Sequence, residues 1–173
     1  MKFHLAAMLG VLLLTSPANA ERLKFDHRLS PPLKAVFDAN DPDMIAFNDT
    51  NPRYVTDLIA IEGASAKDWI QALLIVARTP DKKVRTVAEW VAELQAEGQR
   101  LCPSTFRTLA SDESSATFER QSTGCRAGYP PVAIYRIVAG KRSLFLLGFM
   151  DKGELTEQER REWQAVLASA TID

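Results

Sequence analysis

The sequence predicts an α+β domain in which an antiparallel sheet of about five to seven strands is covered by two main helices. Three observations carry that expectation. Between Thr105 and Met150 the apolar residues follow a strand pattern, broken at short intervals by turn formers. Two T-x-x-E boxes, Thr86 with Glu89 and Thr156 with Glu159, each open a segment of helical period. The run Leu144 to Met150 is apolar on both faces, so its strand belongs at the centre of a sheet with a layer packed on each side.

The start of the chain sets its compartment. Lys2 supplies a positive charge, Leu5 to Leu14 an apolar stretch and Ala18-Asn19-Ala20 a small-residue cleavage site, so residues 1–20 read as a signal peptide cut between Ala20 and Glu21. The stretch is about ten residues, against the roughly 20 that a helix needs to cross a bilayer. The remaining 153 residues suit one core, and removing Lys2 leaves 20 basic against 22 acidic side chains. A net charge near −2 argues against nucleic acid or an anionic membrane as partner. Both cysteines lie in this exported part, and an even count in an oxidising compartment predicts one disulfide, Cys102 to Cys125. It would close a loop of roughly 24 residues, stabilising by about 3 kcal/mol in the chain-entropy picture.

Residues 21–43 read as an extended amino-terminal arm, punctuated by Pro31-Pro32, Asn40 and Asp41-Pro42. Residues 44–173 read as the domain. Met44 to Phe47 and Tyr54 to Ile61 form a hairpin around Asn48 to Arg53, where Asn48-Asp49-Thr50 also matches a glycosylation sequon. Glu62-Gly63 ends the second strand, and Ser65 to Asp68 resembles a capping box opening a turn of helix with Trp69. Ile70 to Ala77 is a strand by its unbroken apolar character, although Trp69, Ala72, Leu73 and Val76 also share a helical face. The helix after Thr86 carries Val87, Trp90, Val91, Leu94 and Leu101 and closes near Gly98, before Cys102-Pro103. Four strands follow, Phe106 to Ala110, Ala116 to Gln121, Val132 to Ala139 and Ser143 to Met150. The last helix has Trp163, Val166, Leu167 and Ala170 as its apolar stripe.

No catalytic set stands out. A reactive Cys125 needs a base or a helix N-terminus, yet turn residues follow it and His27 is the one histidine after the leader. A phosphatase-like C-x5-R fails because Pro131 holds the arginine position, which leaves Arg126 as a surface residue. There is no G-x-S-x-G elbow, no zinc-like cluster and no phosphate-cradling glycine loop. Asp38, Asn40, Asp41, Asp43 and Asp49 crowd together without the spacing of a calcium loop and read as a solvated turn. No cofactor or metal is expected. Trp69, Trp90 and Trp163 sit at apolar positions and read as core.

The anchors G-A-S-A-K-D-W (Gly63 to Trp69), L-C-P (Leu101 to Pro103), T-G-C (Thr123 to Cys125) and V-A-I-Y-R-I-V-A-G-K (Val132 to Lys141), with the tryptophan-bearing last helix, resemble a group of small exported bacterial proteins with a PsbP-like fold. The resemblance spans residues 44 to 172 and implies an antiparallel sheet with helices on both faces. It also implies an accessory or binding role, and it brings no catalytic residues; residues 21–43 have no counterpart in it. The expected function is therefore a periplasmic binding protein acting on an envelope protein or a small ligand. The alternatives are a small envelope hydrolase using a carboxylate pair, or an immunity or inhibitor protein.

Overall fold

A computed structural model describes residues 21–39, 41–47 and 54–173. The expected leader with its cleavage position at Ala20, Asn40, and the segment Asn48 to Arg53 expected to turn, with its sequon, lie outside the described residues. In chain order the elements are β1 (Leu23–Lys24), a 3-10 turn (His27–Leu29), α1 (Pro31–Asp38), β2 (Met44–Ala46), β3 (Tyr54–Ser65) and β4 (Asp68–Arg78). Then come α2 (Val87–Leu101), β5 (Ser104–Ser111), β6 (Ser115–Ser122), β7 (Val132–Ala139), β8 (Leu144–Asp151), α3 (Glu157–Ala168) and β9 (Thr171–Ile172).

Seven strands make one antiparallel sheet in the order β2-β3-β4-β8-β7-β6-β5. β8 is the middle strand and every one of its residues is buried, as its two-faced apolar sequence requires. On one face α3 and α1 pack Trp163, Val166, Leu167 and Leu33 against Ile59, Leu73, Ile134, Leu147 and Phe149. The Phe149 and Trp163 rings stack with centroids 3.9 Å apart. On the other face α2 packs Val87 and Trp90 against Val76, Phe118, Ile137 and Leu146. Full burial of each such aliphatic side chain contributes about 2 kcal/mol.

Both T-x-x-E boxes form: Thr86 and Thr156 accept from the backbone of Glu89 and Glu159, whose carboxylates reach back to the cap N–H groups. α2 runs three residues past Gly98 and ends where the Cys102 N–H meets the Gly98 carbonyl. Gly98 is where α2 comes closest to β5, since a Cβ there would lie 2.9 Å from the Phe106 ring.

Three expectations need correction. The segment 21–43 is not an extended arm. Ser30 caps α1, Pro31 and Pro32 occupy its first turn, and Leu33 is fully buried. The proline pair that suggested a turn is pre-set for a helix start. With α1 there are three helices among the described residues rather than two. The Ser65 to Asp68 box opens no helix, because the Ser65 hydroxyl accepts from Lys67 and Asp68 N–H across a two-residue hairpin turn. Finally, β3 does not stop at Glu62-Gly63 but continues to Ser65 through register shifts. Gly63 absorbs them at φ 126°, where a Cβ would lie 2.5 Å from the Asp68 carbonyl oxygen.

The two ends of the described chain meet. β1 pairs with β9, and the Glu21 carboxylate accepts from the N–H groups of Lys141 and Arg142 in the β7–β8 turn. Those backbone N–H groups hold the Glu21 carboxyl below the usual range against its desolvation.

Candidate functional site

The pleat places alternate residues of each strand on the α2 side of the sheet. One row crosses that face as Ile45, Leu58, Leu74, Gly148, Tyr135, Phe118 and Thr108. The next runs Ala60, Ala72, Met150, Ala133, Arg120 and Phe106. α2 lies over β5, β6 and β7, so it covers only one end of these rows.

The other end is closed by the sheet's own side chains. Leu58, Ala72, Ala133 and Met150 pack together with Trp69, Leu74 and Tyr135, and no helical residue joins them. Gly148 and the three alanines make the floor shallow. The Tyr135 ring lies over Gly148, where a Cβ would come 2.9 Å from it. Burial pushes the Tyr135 phenol up, with the nearby Arg120 charge pulling the other way. At the margin beside β2 Phe47 is 54% exposed, and the Lys152 ammonium sits 4.2 Å over the partly buried Trp69 ring. The result is an apolar stretch of the sheet face between β2 and α2, closed by its own side chains.

A clasp fixes the α2 border. The sulfurs of Cys102 and Cys125 are 2.10 Å apart, with Cα atoms separated by 5.1 Å. They join the end of α2 to the loop between β6 and β7. Beneath them Arg120, almost fully buried, donates to the Tyr129 hydroxyl and the Pro130 carbonyl and stacks 4.5 Å over the Tyr129 ring. Arg126 is exposed, as expected. Trp90 and Trp163 are core residues, whereas Trp69 is only partly buried.

Two carboxylates are buried on the α1/α3 side. Glu119 is 1% exposed and takes ion pairs from Arg107 (2.7 Å) and Arg160, plus the Gln121 amide at 3.1 Å. Asp151 accepts from Gln71 at 2.7 Å and from the Gly153 N–H. Both oxygens of each group accept a protein N–H. A third ionic centre lies at the end of β4. Arg78 pairs with Asp81 and Glu93 between the rings of Tyr54 and Trp90.

The remaining sequence candidates are dispersed. The His27 ring stacks on Phe37 with centroids 4.8 Å apart. Asp38 pairs with Lys34, and Asp43 accepts from the Ala66 N–H, while Asp49 lies outside the described residues. Among the described residues no three histidine, cysteine, aspartate or glutamate side chains converge on a metal position. None of the described helices is long and apolar enough to cross a membrane.

Sequence reasoning missed the buried charges of β6, because T-F-E-R-Q reads as a half-exposed strand. The available signal was alternation, which puts Glu119 and Arg120 on opposite faces of an interior strand where each needs its own partner. No protein-family model and no curated protein matches the chain.

Proposed function

We propose that the protein is an exported, non-catalytic accessory or binding protein whose binding surface is the apolar sheet face between α2 and β2. The observation that carries this reading is an apolar set on the α2 side that is closed by its own side chains rather than by a helix, with Trp69 only partly buried and Phe47 exposed beside it. A sheet face that one helix covers only in part, with aromatic rings at its margin, is a form a partner site takes. The leader-like start, the cysteine pair and the resemblance to PsbP-like exported proteins support a periplasmic setting. The partner is an envelope protein presenting an apolar segment, or a small apolar ligand.

A photoreactive phenylalanine placed at position 47 or 69 tests the site. In the envelope of the producing cell, both positions should give an adduct of defined mass, and the same probe at Arg161 on α3 should not. Equal labelling from all three positions, or none, overturns the assignment. The same mass measurement should find a mature chain beginning at Glu21, and a retained leader overturns the periplasmic reading.

A further inference from the structure

We propose that the opposite face of the sheet carries an oxyanion-binding site built on Arg136, with Arg107 and Arg160 as flanking cations. Its ligand is a small molecule bearing a phosphate or carboxylate group.

Arg136 stands in the middle of β7, in register with Thr117 of β6 and Leu147 of β8. It is half-buried, and its one hydrogen bond goes to the Thr117 hydroxyl at 3.0 Å. Its Nε is buried without a partner. No carboxylate among the described residues forms an ion pair with it.

Arg78 and Arg120, the other guanidiniums set into this sheet, share the unpartnered buried Nε but differ in what the rest of the fork meets. Arg78 has two carboxylates and two aromatic rings. Arg120 has a carbonyl, a phenol and a ring. Arg136 alone among these three keeps most of its donors unused, although desolvating a guanidinium without an acceptor is costly.

The surroundings favour an anion. Arg107 faces Glu119 directly across β5 and β6, one register row from the Thr117–Arg136 pair, so the two rows lie about 7 Å apart along the strands. Arg107 and Arg160 both pair with the one buried carboxylate there, Glu119, and Arg136 stands beside them with no carboxylate of its own. The second acid near Arg160, Glu157, is 79% exposed and screened by water. α3 lies over β7 and β8 and reaches β6 through the Arg160–Glu119 ion pair, so it covers the β5–β6 side only in part. A hollow of about 180 Å³ opens beside them, bordered by Thr105, Phe106, Arg107, Glu119 and Gln121, with the Arg107–Glu119 row between its far end and Arg136. A planar or tetrahedral oxyanion could use the free fork of Arg136 while the rest of its molecule occupies that hollow.

Titration of the purified protein with inorganic phosphate, and separately with acetate, tests this against chloride at equal ionic strength. A saturable rise in melting temperature with phosphate or acetate, absent with chloride, is expected; which of them acts assigns the ligand group. Arg136→Gln should weaken that binding at least about tenfold, the worth of one charge-assisted hydrogen bond. Arg107→Gln, at a side chain 63% exposed, should weaken it by a smaller factor while leaving the fold intact. No saturable response to either anion overturns the proposal, as does an unchanged affinity in a folded Arg136→Gln. If Arg136→Gln does not fold, Arg107→Gln decides, and unchanged affinity there overturns it. The phosphate titration does not involve the apolar face on the α2 side, so failure of one site leaves the other standing.

Discussion

Asp81 and Asp112 organise two turns in the same way. Asp81 accepts from the N–H groups of Val84 and Lys83 and pairs with Arg78, which together hold it at about 2. Asp112 is held at about 2 by the hydroxyls and N–H groups of Ser114 and Ser115. Both ordinarily titrate at 3.8. A carboxyl whose folded value is depressed stabilises the fold fully above its unfolded value, and that contribution fades as the pH falls from about 4 toward 2. An Asp81→Asn/Asp112→Asn double variant should therefore unfold at lower urea than the parent at pH 7. At pH 2 the two midpoints should converge. A constant gap across that range would mean that the turns are held by shape rather than by charge.

At the scale of elements, legibility depended on whether a signal was local. Helix caps are local, so α2 and α3 could be read from Thr86 and Thr156 alone, and Thr86→Ala or Thr156→Ala should each cost about 1 kcal/mol in denaturant melts. An effect near zero at either would show that packing alone sets that helix start. The four strands after Thr105 were also readable, to within two residues at each end, because turn formers separate them. The strand β4 was resolved from its helical alternative by its neighbours, since β3 and β8 flank it and bury an unbroken apolar run. What failed had two valid local solutions. Ser65 with Asp68 can cap a helix or close a hairpin, and Ser30-Pro31-Pro32 can turn or begin a helix. In both cases long-range packing chose, through the β3–β4 ladder in one and the burial of Leu33 in the other. The sheet face that α2 leaves uncovered was equally beyond local reading, because it depends on where a 15-residue helix stops across a seven-stranded face.

For the whole molecule, the cysteine pair ties the two kinds of layer together. Cys102→Ser and Cys125→Ser should lose stability equally, by about 3 kcal/mol under non-reducing conditions. Both variants should match the reduced parent. A free thiol at both positions in the purified protein, or a penalty at only one, would remove the clasp from the account. The sheet's free margins have a different consequence. β2 offers only three residues, and the outer strand β5 is interrupted by a register shift between Thr108 and Ala110, with Arg107 standing on it. Short or bulged, charged edges are poor templates for another chain's strand. A seven-stranded sheet left open at both ends is thereby kept from growing into its neighbours, so its colloidal behaviour in a crowded compartment rests on one bulge and one arginine.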